Sequence, residues 1–234
     1  MIYVFYHVFC NEHAETIVRD QISKLHFSGV YKRCDRIVCC LLGPHRNSIA
    51  ALLKESGTKF DIYKVAESEL LPFEASERFT LNTIRSIVRP EDKFLYMHSK
   101  GVTRPANERV RKWREFMEFQ LMTRAEECLR ALDTVDCAGC NFRFWDVPIH
   151  SPAHDRFPRS ERGRHFSGNM WWCTGRYWLS LPSTIDSDYY GPEMHIGLHC
   201  PRVFLLAESC RDHYYHEVSY STFVDGPSAI PLFC

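Results

Sequence analysis

The sequence predicts a single α/β domain of 234 residues, with a Rossmann-like, mixed and mostly parallel sheet flanked by helices. Short runs that are apolar throughout, which is typical of strands buried on both faces, alternate along the chain with segments of helical periodicity. Glycine or proline ends most of these segments. An apolar content of 45% and a charged content of 25% are ordinary for a globular protein. This alternation of strand and helix favours one doubly wound sheet.

The individual elements follow from local patterns. Residues 2–9 and Arg36 to Leu42 are predicted strands, because both are apolar runs rich in β-branched, aromatic or cysteine residues. Between them, residues 12–28 predict an amphipathic helix that Gly29 ends. The same reasoning predicts a helix at 47–56, a strand at 60–65, a helix at 79–88, a strand at 94–97, a long helix at 109–132, a strand at 135–141, an apolar segment at 166–173 and a helix at 175–181.

Charge and cysteine content exclude several classes of protein. Acidic and basic side chains number 29 each, so no overall field attracts nucleic acid, and we expect no nucleic-acid partner. Residues 1–9 are apolar but too short to span a bilayer and lack a basic leader, so we expect a first strand and no membrane span. The eleven cysteines favour reduced core thiols in a cytoplasmic protein, although a disulfide framework stays open. Oligomeric state is not constrained.

The most informative segment is Lys93 to Gly101, an apolar strand that ends in His98-Ser99-Lys100-Gly101. Ligands of open α/β sheets bind outside the carboxyl ends of the strands, where this polar tip lies. Lys100 beside a glycine suits a phosphate group, and His98 adds a hydrogen-bond donor. The alternatives are a solvated lysine at a strand end and a half-buried histidine bonded to a neighbouring loop.

A second segment, His165 to Trp172, sets small polar residues among aromatic ones. Such a set suits a sugar site, in which Ser167 and Asn169 read hydroxyls, Gly168 allows close approach, and Trp171 or Trp172 stacks on the ring. The alternative is a buried strand with a glycine bulge, in which both tryptophans are core.

A third segment places Glu193 after Gly-Pro, at the start of an apolar turn. A carboxylate there can act as a general base on an alcohol. Alternatively it only stabilises a helix N-terminus. Residues 146–165 have no periodicity and carry four arginines, which is typical of a functional loop.

Together these segments resemble the nucleotide-sugar glycosyltransferases of the GT-A fold. They resemble more narrowly a group of small members from bacteria and from large DNA viruses of algae, the chlorovirus type with its xylosyltransferase. The shared features are a strand that ends in His-Ser/Thr-Lys-Gly (Tyr96 to Gly101), a Trp113-Arg114 helix, His165 to Trp172 and Pro192-Glu193. The resemblance covers roughly residues 1–200.

The resemblance implies transfer of a sugar from a nucleoside-diphosphate sugar, UDP-linked and with UDP-xylose as a candidate, to a hydroxyl of a glycan or glycoprotein such as a capsid glycoprotein. Residues 1–101 would form the donor half, and residues 102–234, with the loop 146–165, the acceptor half. GT-A enzymes hold a metal with Asp-x-Asp, whereas this chain has His98-Ser99-Lys100. Since a lysine repels a cation, we expect metal-independent transfer, with no metal site and no required cofactor. A carboxylate that deprotonates the acceptor hydroxyl on the opposite face would give inversion.

The implied roles are catalytic for Glu193 as base and for Lys100 and His98 at the departing diphosphate. The predicted donor-binding residues are Tyr6, His7, Glu74, Arg78, Thr80, His98, Ser99, Lys100 and Gly101. The predicted acceptor-binding residues are His165, Ser167, Gly168, Asn169, Trp171 and Trp172. Two other functions stay open: a degenerate, non-catalytic module that binds a nucleotide sugar or glycan, and a metal-dependent hydrolase or nucleotidyltransferase, for which paired carboxylates on strand tips are missing.

Overall fold

The computed structural model describes residues 1–67, 76–144, 164–187, 190–208, 217–218 and 230–232. Its strands are β1 (Ile2–Phe9), β2 (Arg36–Leu42), β3 (Phe60–Ala66), β4 (Lys93–His98), β5 (Cys137–Cys140), β6 (Phe142–Phe144), β7 (Arg164–Phe166), β8 (Trp171–Thr174), β9 (Val203–Ala207) and β10 (Ile230–Leu232). Its α-helices are α1 (Ala14–Phe27), α2 (Val30–Arg33), α3 (Arg46–Glu55), α4 (Ser76–Ile87), α5 (Glu108–Glu118), α6 (Ala125–Ala131), α7 (Gly175–Ser180) and α8 (Gly191–His195).

A mixed sheet of eight strands, in the order β10-β9-β5-β8-β4-β1-β2-β3, lies at the centre. Strands β3, β2, β1 and β4 pair in parallel, so their carboxyl ends share one edge of the sheet. Strand β8 runs antiparallel to both of its neighbours, β4 and β5. The order therefore joins strands from both halves of the chain, and the turn before β8 reaches the edge at which β4 ends.

Helices cover both faces of this sheet because successive residues of each strand point to opposite sides. Val4, Tyr6 and Val8 of β1 belong to the core under α1, α3 and α5. Tyr3 and Phe5 belong to a second core with residues of α4 and α7. This arrangement confirms the predicted α/β class with a mostly parallel, Rossmann-like sheet.

Two predicted elements differ in the structure. The long helix predicted at 109–132 is interrupted by a π-helical segment, Phe119–Thr123, and a new helix begins after Arg124. The segment predicted as one apolar run at 166–173 consists of β7, a turn at 167–170 and β8. The first break was missed because the apolar spacing continues across the π-helical segment, and the second because Ser167-Gly168-Asn169 interrupts the apolar run with a turn.

No helix within the described ranges has the length and apolar character needed to cross a membrane.

Candidate functional site

The tip of β4 is fixed to the neighbouring strand β1. His98 lies opposite His7 in the parallel register, and the Ser99 amide donates to the His7 carbonyl oxygen at 3.0 Å. The Ser99 hydroxyl accepts from the Phe9 amide at 3.0 Å. Ser99 thus continues the ladder with its amide and its hydroxyl oxygen, and its role in donor binding stays a prediction.

His98 is held as a neutral ring whose Nε2–H is already used. Nε2 lies 2.8 Å from the carbonyl oxygen of Gly168, so this nitrogen carries the hydrogen and donates. Burial, reinforced by the Lys100 ammonium, lowers the pKa of His98 to about 3. His98 is therefore neutral near neutral pH, so of the two residues predicted at the departing diphosphate Lys100 is the one that carries a positive charge.

Lys100 carries the positive charge of the tip. Its Nζ lies 3.9 Å from the centroid of the Trp113 ring, within the range of a cation–π interaction. Burial lowers the pKa of the Lys100 ammonium, while Glu193 and Glu77 oppose this shift. A half-buried ammonium on an indole ring, whose pKa responds to two carboxylates, is a localised cation of the kind that binds a phosphate oxygen.

Gly168 lies at the centre of the site. Its φ is +95°, and a Cβ there would lie 2.5 Å from Met117 Sδ and 3.1 Å from Trp113 Cζ2. Only glycine combines this left-handed backbone with so close a contact to α5. Its carbonyl oxygen accepts from His98, and its amide donates to Glu193 Oε1 at 2.9 Å. Gly168 therefore connects His98, at the end of β4, to the carboxylate of Glu193.

Glu193 lies in the first turn of α8, as the sequence suggested, but it is not only a helix-terminal charge. One of its oxygens is fixed by the Gly168 amide. The second oxygen makes no other hydrogen bond within the described ranges, and the residue is partly exposed. This carboxylate is oriented yet keeps one oxygen for an incoming hydroxyl.

Glu77 is a member of the site that the sequence reasoning missed. Its Oε2 accepts from the Tyr96 hydroxyl at 3.0 Å and from the Asn169 amide, and its Oε1 lies 3.7 Å from His98 Nδ1. A usable signal existed, because a helix that follows a parallel strand begins at the carboxyl edge of the sheet, and Glu77 is in the first turn of α4. That position predicts a carboxylate beside His98.

Several predicted donor-binding residues serve the interior instead. Tyr6 is fully buried on the α1 side and donates to Gln21 Oε1 at 2.5 Å. His7 and Thr80 are buried and bond to each other at 2.8 Å between Nδ1 and Oγ1. Arg78 donates to the Asp186 carbonyl oxygen at 2.8 Å, which fixes the loop before α8. The prediction that Tyr6, His7 and Thr80 contact a nucleoside directly is therefore wrong, because none of these side chains is accessible.

The predicted sugar-stacking residues are core residues. Trp171 and Trp172 both have 0% exposure; Trp171 packs between Tyr96 and Trp178, and Trp172 Nε1 donates to the Leu121 carbonyl oxygen. The alternative that both rings are core residues is the correct one, although the glycine lies in a turn between β7 and β8 rather than in a bulged strand. Asn169 is also buried, with its amide nitrogen on Glu77 and its oxygen accepting from Trp171 Nε1 at 2.8 Å.

Of the remaining predicted site residues, some lie near the β4 tip or the Gly168 turn, and others lie outside the described residues. His165 is buried on β7, so direct acceptor contact is wrong for it as well, whereas Ser167 is partly exposed in the turn beside Gly168. Gly101 follows Lys100, and a Cβ added to it would lie 3.0 Å from a methyl group of Val110. Glu74, and the loop 146–165 apart from its last two residues, lie outside the described residues.

The donor set at this edge does not fit a divalent metal of the kind that Asp-x-Asp holds. Within the parts of the chain that the structure describes, no three or more His, Cys, Asp or Glu side chains form a candidate cluster. A hard cation prefers several oxygen ligands, and here two carboxylates flank an ammonium that would repel it. We therefore derive no step through a metal.

Comparison with known proteins gives a family without an assigned activity. No curated protein matches the chain. A family model described as "Domain of unknown function (DUF8361)" matches residues 5–186, which include most of β1, all of β2 to β8, the β4 tip and the Gly168 turn but not Glu193. The match covers most of the chain, and the protein belongs to the DUF8361 family.

Proposed function

We propose that the protein is a glycosyltransferase that moves a sugar from a nucleoside-diphosphate sugar to a hydroxyl of a glycan or glycoprotein. The resemblance to the GT-A enzymes motivates the proposal. The sheet supports it, since four parallel strands, an antiparallel strand and two further parallel strands bring both halves of the chain to one edge.

The observation that carries the proposal is the single residue that joins the two chemical groups. Gly168 accepts from His98 through its carbonyl oxygen and donates to Glu193 through its amide. Lys100 follows His98 by two residues, and its pKa responds to Glu193. Gly168 thus holds the end of β4 and a partly free carboxylate together, and that carboxylate acts on the charge of Lys100, 93 positions earlier in the sequence.

The chemistry that this pair supports is displacement at the anomeric carbon. The bond between that carbon and the β-phosphate oxygen breaks, and its electron pair stays on the phosphate. Lys100 stabilises the negative charge as it develops. Glu193 takes the proton of the acceptor hydroxyl while the new carbon–oxygen bond forms on the opposite face, which inverts the anomeric configuration.

His98 supports this step by position rather than by charge. Its Nε2–H holds the Gly168 carbonyl oxygen, and the same residue's amide orients Glu193. A neutral histidine suits this task, because its hydrogen-bond pattern does not change between pH 5 and 8.

The identity of the substrates is part of the proposal. A UDP-linked sugar, with UDP-xylose as a candidate, follows only from the resemblance, as do a viral setting and a capsid glycan as acceptor. A cytoplasmic location is supported by the nine cysteines of the described ranges, all of which are free thiols.

The test is calorimetric titration with a panel of nucleotide sugars, first in EDTA and then with manganese. We expect micromolar binding of one donor in EDTA and slow release of its nucleoside diphosphate. Lys100→Gln should lose this binding, whereas Lys54→Gln, at an exposed position on α3, should keep it. Binding that requires manganese would contradict the role of Lys100, and binding without any turnover would favour the degenerate, non-catalytic module.

A further inference from the structure

Two hydrogen-bond acceptors face each other at the site, and no donor from the described parts of the chain lies between them. Glu77 Oε1 and His98 Nδ1 are 3.7 Å apart, too far for a hydrogen bond. Nε2 of His98 carries the ring hydrogen because it donates to the Gly168 carbonyl oxygen, so in the neutral ring Nδ1 presents a lone pair. Within the described ranges, neither of the two facing atoms has a hydrogen-bond partner.

The surrounding contacts fix both acceptors in place. Glu77 Oε2 is held by the Tyr96 hydroxyl and by the Asn169 amide, which sets the direction of Oε1. The His98 ring lies parallel to the Tyr96 ring, with 8° between their planes and 6.3 Å between centroids. The His98 side chain is 12% exposed and the Glu77 side chain 25% exposed, so both side chains keep some contact with solvent.

A carboxylate opposite a lone pair is unfavourable unless donors fill the gap. A divalent cation is disfavoured there, because the Lys100 ammonium is close enough for Glu77 to raise its pKa. A diphosphate is also excluded from this position, since it carries only acceptors and negative charge. Neighbouring hydroxyl groups of a sugar ring have the required chemistry, with one donor for each acceptor.

We propose that Glu77 Oε1 and His98 Nδ1 form a paired acceptor subsite that binds two neighbouring hydroxyl groups of the sugar ring. This inference rests on the proposed function and assigns a part of the substrate to each side of the site. The diphosphate lies toward Lys100, and the sugar lies toward Glu77. Specificity for a hydroxylated ring then comes from Glu77, a residue with no role in the transfer step itself.

The variant Glu77→Gln isolates this subsite. Its amide oxygen can keep both bonds from Tyr96 and Asn169, while its amide nitrogen donates to His98 Nδ1 and closes the gap. We expect affinity for a nucleotide sugar to fall about ten- to a hundredfold, since hydrogen bonds to charged groups are worth ~1.5–3 kcal/mol. Affinity for the nucleoside diphosphate alone should not change. Glu91→Gln, at an exposed position, is the control.

Titrations of both variants with UDP, UDP-glucose and UDP-xylose separate the possible outcomes. Equal losses for UDP and the sugar nucleotides would overturn the subsite and leave the proposed function standing, as would unchanged binding of the nucleotides together with unchanged binding of methyl glycosides in the presence of UDP. Failure of the wild-type protein to bind any of them would overturn the proposed function and this inference with it. If Glu77→Gln instead weakens only the binding of methyl glycosides in the presence of UDP, measured by saturation-transfer NMR, the hydroxyls belong to the acceptor sugar and the subsite is supported.

A measurement without substrate tests the acceptor pair directly. In the ¹⁵N spectrum of histidine-labelled protein at pH 7.5, His98, assigned by its loss in His98→Asn, should show a protonated Nε2 and an unprotonated Nδ1. The Nδ1 resonance should shift in Glu77→Gln as the amide donates to it. A proton on Nδ1 in the wild-type protein would overturn the inference whatever the activity.

Discussion

Replacement of Gly168 by alanine should destabilise the protein by an amount that the geometry predicts. A φ of +95° places an alanine in the left-handed region, which costs ~1–2 kcal/mol. The new Cβ would also lie 2.5 Å from Met117 Sδ and 2.9 Å from Met117 Cε, on a helix packed into the core. Overpacking of this kind costs ~1–3 kcal/mol. The sum is about 2–5 kcal/mol of unfolding free energy.

Gly29→Ala provides a matched control for the backbone contribution. Gly29 has a φ of +79°, but its Cβ would meet only the Arg33 guanidinium at the end of a mobile side chain, at 2.6 Å. This control should therefore lose only the ~1–2 kcal/mol of the left-handed conformation. Urea denaturation followed by circular dichroism measures both variants. If Gly168→Ala is no less stable than Gly29→Ala, the close packing of the Gly168 turn against α5 is refuted.

Three further predictions concern buried charge and the lysine environment. Burial lowers the pKa values of His7, His98 and His195 to about 4, 3 and 4, so between these values and about 6.5 the unfolded chain binds more protons than the folded protein. The free energy of unfolding should therefore be highest above pH 6.5 and fall as the pH drops, by up to ~1.4 kcal/mol per pH unit for each histidine. Equal free energies of unfolding from urea titrations at pH 7.5 and 5.5 would contradict this. Glu118 has a side chain with 0% exposure that accepts from Gln21 and Lys24 and pairs with Arg114, so Glu118→Ala should cost ~3–5 kcal/mol in the same assay, whereas exposed Glu126→Ala should cost under ~0.5 kcal/mol. Trp113→Leu removes a cation–π contact worth ~1 kcal/mol and should lower the pKa of Lys100 by nearly one unit, measured by NMR of the ¹³C-methylated amine; an unchanged pKa would show that the ring does not stabilise the ammonium.

Most of the fold was predictable because it depends on local patterns. The apolar run Arg36 to Leu42 forms β2 with the predicted bounds, and residues 2–9 form β1. The order of the strands in the sheet was harder to predict from the sequence, since the placement of β8 between β4 and β5 depends on pairing between residues that are distant in sequence. The break at Arg124 was also missed, because the apolar spacing of the long helix continues across it.

The site was predictable in its location but not in the direction of its side chains. The sequence indicated Lys100 and Glu193 from their positions at a strand tip and a helix start, and in the structure Glu193 accepts from the Gly168 amide and opposes the lowering of the Lys100 pKa by burial. It could not show that Trp171 and Trp172 point into the core, because alternating residues of a strand buried on both faces look alike in sequence. Glu77 was missed because an isolated carboxylate at a helix N-terminus is common.

The most direct test of the central claim is release of UDP from the best-binding UDP-sugar in EDTA, compared between Glu193→Gln and Glu91→Gln. A general base contributes ~10²–10⁴-fold to a rate, so Glu193→Gln should lose at least about a hundredfold in turnover with little change in donor affinity, while Glu91→Gln keeps the wild-type rate. Equal rates in the two variants would contradict the assignment of Glu193 as the base and with it the proposed transfer site.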